Sequence, residues 1–179
     1  MLKKAVLLLC SVLLATSLLA GVAEVRQHSH TSKDSLVLVQ KDMLTWGPLA
    51  GGAEGQFKFK MGKKNLDVKI KASGLQPLTN YSLIYFLDPW PSQGLVCLCN
   101  AKTDGGGNLR AKAKANVDVL PIPSDANYPC GAKIWLVLTA DVDCENQVMT
   151  AWNPESYLFQ TQLVQFGNDV GVREGPPEN

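Results

Sequence analysis

Three stretches of the chain alternate apolar and charged residues with a period of two, and no other feature limits the fold as tightly. Gln56 to Met61 sets Phe57, Phe59 and Met61 against Lys58 and Lys60. Leu66 to Ala72 sets Leu66, Val68 and Ile70 against Asp67, Lys69 and Lys71. Leu109 to Val119 sets Leu109, Ala111, Ala113, Ala115 and Val117 against Arg110, Lys112 and Lys114. Successive side chains of a strand leave on opposite faces, so each stretch is predicted to be a strand with one wet face and one buried face. Beyond the N-terminal segment no apolar period of 3.6 is sustained over about ten residues, so helical folds are excluded.

The remaining strands follow from short apolar runs between turn residues. Ser35 to Gln40, Tyr81 to Leu87 and Leu95 to Thr103 are such runs, the last predicted to form a hairpin with Leu109 to Val119 about the turn DGGGN. A second hairpin is predicted between Gln56 to Met61 and Leu66 to Ala72, about GKKN. Ala132 to Val142, AKIWLVLTADV, is almost continuously apolar, as a central strand buried on both faces should be. Long loops separate these pairs, DPWPSQG and LPIPSDANYPCG among them. The pattern predicts an all-β fold: an antiparallel β-sandwich with Greek-key, immunoglobulin-like crossings and no substantial helix after the N-terminal segment. A closed barrel is the structural alternative. With 179 residues, 46% hydrophobic and 18% charged, the chain needs a single domain, placed at 35–166.

The first 23 residues read as two lysines, a Leu/Val-rich run from Ala5, and small residues at Ala20, Gly21 and Ala23. That is the layout of a secretory signal peptide cleaved after Ala23, with an uncleaved N-terminal membrane anchor as the competing reading. Residues 24–34 form a polar, flexible tether carrying His28 and His30, and 167–179 a loose C-terminal tail. The expected location is secreted or extracytoplasmic. Export makes the four cysteines beyond the signal, Cys97, Cys99, Cys130 and Cys144, candidates for two disulfides, with Cys97 and Cys99 on one strand face and each pairing with Cys130 or Cys144. The competing four-thiolate metal site lacks the usual spacing of two close pairs. Loss of Lys3 and Lys4 with the signal leaves 15 basic against 16 acidic residues, a near-neutral chain for which nucleic acid is not the expected partner.

Catalytic chemistry is constrained by what the body lacks. Both histidines stand in the tether, so Ser-His-Asp, Cys-His and histidine-zinc machinery is missing from the predicted domain, which is read as no enzyme. Asp141, Asp143 and Glu145 alternate and could share a hard cation. An EF-hand would need Gly at the sixth and Glu at the twelfth loop position, where Asn146 and Trp152 stand, so only an irregular calcium site is left as a weak cofactor candidate. Asp88, Trp90 and Trp152 sit in loops and are candidates for a ligand rim of the kind that stacks or processes sugars, against the plainer role of corner packing. Asn80 heads an N-x-S sequon and is a glycosylation candidate in a host that glycosylates. Lys58, Lys60, Lys69, Lys71, Arg110, Lys112 and Lys114 share the wet side of their strands. If those strands are neighbours, they build a basic surface for anionic envelope polymers or lipid headgroups; the plainer account is solvation of an open sheet.

The succession LVLVQKD, Trp46 with GGAEG, GLQPLTNYSLIYFLDPWP, TDGGGNL, GAKIWLVLTADV and AWNPESYLF resembles a group of uncharacterised exported archaeal and bacterial β-sandwich proteins. The resemblance covers residues 35–166 and is most specific at DPWP, KIWLVL and WNPxxYLF. It implies export and an all-β fold and brings no activity, substrate or catalytic residue. The expectation is therefore an exported, non-catalytic binding or structural module of the cell surface. Its partner would be a surface glycan or another envelope protein, with the membrane reached only through an uncleaved N-terminal segment. Carbohydrate-binding or carbohydrate-active and membrane-anchored, receptor-like domains are the alternatives.

Overall fold

Alternation in sequence becomes alternation in burial. In β3 (Asn65–Ser73) the side chains of Leu66, Val68, Ile70 and Ala72 are buried, while Asp67, Lys69, Lys71 and Ser73 are exposed. The computed structural model describes residues 33–61, 65–89, 94–116, 122–128 and 131–164. The N-terminal segment, the histidines of the tether, the GKK of the first hairpin turn, Trp90, Cys130 and the C-terminal tail lie outside these residues. β3 is flanked by β2 (Glu54–Met61) and β6 (Leu109–Asn116), each paired to it over eight positions in antiparallel register.

The other strands of the large sheet are β1 (Lys33–Val39), β4 (Asn80–Phe86), β5 (Val96–Lys102), β7 (Lys133–Leu138) and β10 (Leu158–Gln160). A second, two-stranded sheet joins β8 (Val142–Asp143) to β9 (Val148–Met149). Among the described residues the large sheet has eight strands in the order β5-β4-β7-β10-β1-β2-β3-β6, all antiparallel. The all-β, antiparallel expectation is thus met.

The eight strands send side chains into one interior core, with Leu36, Phe57, Val68, Leu83, Leu98, Leu109, Leu136 and Leu158 among them. A flat sheet would leave that face wet. Instead the two edge strands, β5 and β6, come into contact, so the sheet rolls around its own apolar face. No ladder of hydrogen bonds joins them: β5 pairs with β4 and β6 with β3. The hairpin predicted about DGGGN is therefore a tight turn between two strands that pair elsewhere. Asp104 holds the turn, its Oδ1 accepting from the backbone N–H of Gly106 and Asn108 at 2.9 and 2.8 Å. Gly107 makes it possible: its φ is +75°, and a Cβ there would fall 2.2 Å from the carbonyl oxygen of Leu75.

A second cluster lies on the outer side of β4, β7 and β10. Ile84, Phe86, Trp135, Val137 and Phe159 point away from the interior and are covered with Leu95, Val142 and Tyr157. Phe86 and Trp135 stack at 4.0 Å with 12° between planes. Burial on both faces explains the continuous apolar runs of β4 and β7, where each large buried side chain is worth about 1.5–3 kcal/mol. The central-strand expectation holds for β7, although the strand ends at Leu138. A 3-10 turn at Thr139–Asp141 then starts the excursion that carries β8 and β9. On the outer side of β4, Ser82 is fully buried and donates to Thr139 Oγ1 at 2.9 Å.

Candidate functional site

The strand register turns scattered lysines into a surface. Across β2, β3 and β6 the outward positions align in three rows: Lys60–Asp67–Lys114, Lys58–Lys69–Lys112 and Gln56–Lys71–Arg110. All nine side chains are exposed. The strands predicted to carry the basic residues are thus neighbours, and the middle row contains no acid. None of the seven cations forms a salt bridge with a described residue; the bridge that does form joins Lys133 to Asp88 elsewhere. Like charges directly opposite each other on adjacent strands repel, so this arrangement costs stability in the free protein. An open cavity of about 800 Å³ lies against this face, lined by Lys58, Lys60, Lys69, Lys112 and Lys114 together with Ser35, Asp67 and the inward-pointing Phe59, Val68 and Ala113.

An aromatic shelf occupies another part of the outer surface. Trp152 is 40% exposed and stands over the outer cluster, 5.8 Å from Trp135 and 5.6 Å from Tyr157 between ring centres. Beside it, 6.5 Å away with 30° between planes, lies Trp46, 48% exposed. Trp46 belongs to the β1–β2 loop, and pairing of β1 with β10 brings that loop to Trp152. Gln40 ties the two segments by donating from Nε2 to the backbone oxygen of Glu155 at 2.5 Å.

The loop is fixed from within by Asp42. Its Oδ1 accepts from the N–H groups of Leu44 and Thr45 at 3.0 and 2.8 Å and from the Thr45 hydroxyl at 3.1 Å. These donors, the N–H of Thr45 foremost, hold the Asp42 carboxyl below its usual pKa. Trp46 closes the turn in a left-handed conformation, φ +56°. Lys41 Nζ lies 5.6 Å from the Trp46 ring centre and 5.5 Å from that of Phe159.

Two buried carboxylates serve the fold. Tyr85 donates to Asp125 Oδ2 at 2.6 Å, and Tyr157 donates to Asp141 Oδ2 at 2.5 Å. Both phenols are pushed well above their ordinary pKa, by burial first and by the adjacent carboxylate second. Asp125 also accepts from Asn127, and Asp141 from the Asn153 side chain at 2.9 Å.

The residues singled out from sequence fall into different places. Asp141, Asp143 and Glu145 do not converge on a cation site. Asp141 is turned inward onto Tyr157 and Asn153, while Asp143 folds its own turn by accepting from the N–H groups of Glu145 and Asn146 and from the Asn146 side chain. No group of three ligating side chains comes together among the described residues. Asp88 pairs with Lys133 at 2.5 Å and accepts from Asn127 at 2.8 Å. Burial raises its pKa, but Lys133 and Asn127 outweigh burial and hold the carboxyl below the usual range. Trp90 lies outside the described residues. Asn80 is exposed at the first position of β4.

The cysteines divide. Cys97 is bonded to Cys144, whereas Cys99 keeps a free thiol and so takes no part in the second bridge expected of it; Cys130 lies outside the described residues. The reason is a bulge. Leu83 pairs with Cys99 while its neighbour Ile84 pairs with Cys97, leaving Leu98 as an extra residue. The two cysteines, expected on one face, therefore lie on opposite sides of the sheet.

Trp46 was not among the residues singled out; its proximity to Trp152 depends on the pairing of β1 with the three-residue strand β10. Compared with protein-family models and with curated proteins, the chain matches neither.

Proposed function

We propose that this protein is an exported, non-catalytic binding module of the cell surface whose lysine face holds an anionic surface glycan. The observation that carries this reading is the row Lys58–Lys69–Lys112, three cations on adjacent strands with no acid between them. Strand spacing places such charges about 4.8 Å apart across the sheet, a pitch suited to a chain with a repeated negative charge. A bound polyanion removes the repulsion that the free face carries. The five lysines that line the open cavity favour a ligand that carries many negative charges in a row. Export is supported by the basic-then-apolar N-terminus and by the Cys97–Cys144 bond, which is compatible with an oxidising compartment.

Titration of the mature chain with acidic polysaccharides such as alginate and hyaluronan tests this reading. Binding is expected at low ionic strength, is lost at about 0.5 M salt, and falls at least tenfold in Lys69→Glu/Lys112→Glu. Binding that survives such salt, or that ignores the charge reversal, refutes the electrostatic mechanism.

A further inference from the structure

Trp46 stands in a conformation that its own side chain makes costly. A non-glycine residue at φ +56° is uncommon, and among those that tolerate it Asn leads, whereas a bulky indole does not. Strain of this kind persists where the surroundings hold it, and it concentrates at functional positions. Here the surroundings are the Asp42 turn on one side and Trp152 with Phe159 on the other. What they hold in place is an indole with about half of its surface in water, beside a second indole almost equally exposed.

From this juxtaposition we infer that Trp46 and Trp152 form a stacking site for the ring of a neutral sugar, with the Lys41 ammonium, which lies over the Trp46 ring, as hydrogen-bond donor. The electron-rich indole faces attract the C–H face of a pyranose. Lys41, close to the Trp46 ring, carries three donors for its hydroxyls. The same cation disfavours a cationic ligand, the other class that aromatic faces attract. A protein partner fits less well. The two half-exposed rings offer roughly 200 Å² together, against the roughly 800 Å² per partner of a stable protein interface. The site stands apart from the lysine face and does not depend on it.

The decisive variant is Trp46→Asn, because Asn suits the left-handed conformation. It is expected to match or exceed the parent in Tm while losing at least tenfold in affinity. Binding of neutral gluco-, manno- and N-acetylglucosamine tetrasaccharides is measured on the mature chain by saturation-transfer NMR at about 0.5 M salt, which screens the lysine face. One class of tetrasaccharide is expected to bind. Trp152→Ala should weaken it comparably, Lys41→Met a few-fold, and Lys69→Glu/Lys112→Glu not at all. Four results overturn the site: no neutral tetrasaccharide bound, affinity unchanged in Trp46→Asn, affinity lost with the lysine reversal, or a dimer that Trp46→Asn dissolves without any sugar binding. Loss of acidic-polysaccharide binding alone would leave the shelf standing, so the two sites fail separately.

Discussion

Cys97 and Cys99 are two residues apart on β5 yet face opposite sides of the sheet, Cys97 packing against the outer cluster and Cys99 against the interior core. Only the outer one meets Cys144, which returns on the turn between β8 and β9. The bond spans 47 residues, for which loop-closure entropy alone predicts about 4 kcal/mol of stabilisation. Cys97→Ala/Cys144→Ala should therefore lower the denaturation midpoint by an amount equivalent to about 2–4 kcal/mol. Burial pushes the Cys99 thiol up to about 11. At neutral pH it should resist thiol reagents in the folded chain and react on unfolding; rapid labelling of Cys99 in the native state would contradict its place in the core.

The two tyrosine–carboxylate pairs set an alkaline limit. A phenol whose folded pKa lies above the ordinary value of 10.0 keeps its proton in the folded chain while the unfolded chain releases its own. The stability it contributes is fully present below pH 10 and is lost as pH rises from there through the folded value. Equilibrium unfolding from pH 8 upward should show a steepening loss above about pH 10. Tyr85→Phe and Tyr157→Phe should each flatten that slope while costing about 1–3 kcal/mol at neutral pH, because the buried carboxylate loses its phenol donor. An unchanged slope in both variants would show that other groups set the limit.

Period two was legible where the wet face of a strand is charged, which is why β2, β3 and β6 stand close to where alternation put them; β1 alternates in burial too, but its exposed Val37 hid the period. Runs buried on both faces were legible as apolar, and β7 is central for that reason. β10 was not, since three residues carry no period. Everything that depends on β10 was hidden with it: the closure of β7 onto β1, and the meeting of Trp46 with Trp152. The bulge at Leu98 was equally silent, because spacing along a chain does not show where a ladder skips a residue. The lysines could be assigned to the wet side of their strands, but only the register shows that Lys58, Lys69 and Lys112 stand in one row.

Gly107 is where the turn between β5 and β6 tolerates no side chain. Its N–H donates to the carbonyl of Asp104 and its carbonyl accepts from Leu75, so the turn is anchored from both sides. Gly107→Ala adds a Cβ against the Leu75 backbone in a conformation that already disfavours it. A loss of about 2–4 kcal/mol is expected in denaturant titration, well above the few tenths of a kcal/mol expected of an exposed turn position such as Gly105→Ala. Comparable losses at the two positions would mean that the loop gives way without cost.

Lys69 separates a surface kept for solubility from one kept for binding. It stands between Lys58 and Lys112, so Lys69→Glu replaces two repulsive cross-strand pairs with two attractive ones. The expected result in the free protein is a gain in stability, a rise in Tm of about 1–3 °C that shrinks as salt screens the pairs. A surface kept only to solvate an open sheet would show that gain with nothing lost. A surface kept to hold an acidic polysaccharide shows the gain together with a weakened complex, because the reversed charge sits in the middle of the row. Differential scanning calorimetry and polysaccharide titration of the same variant read both quantities. Lys102→Glu, an exposed cation on β5 outside the three rows, is the control and should leave the complex unchanged. Stabilisation and weakened binding at Lys69, with neither at Lys102, would mean that the fold tolerates its own repulsion because a ligand removes it.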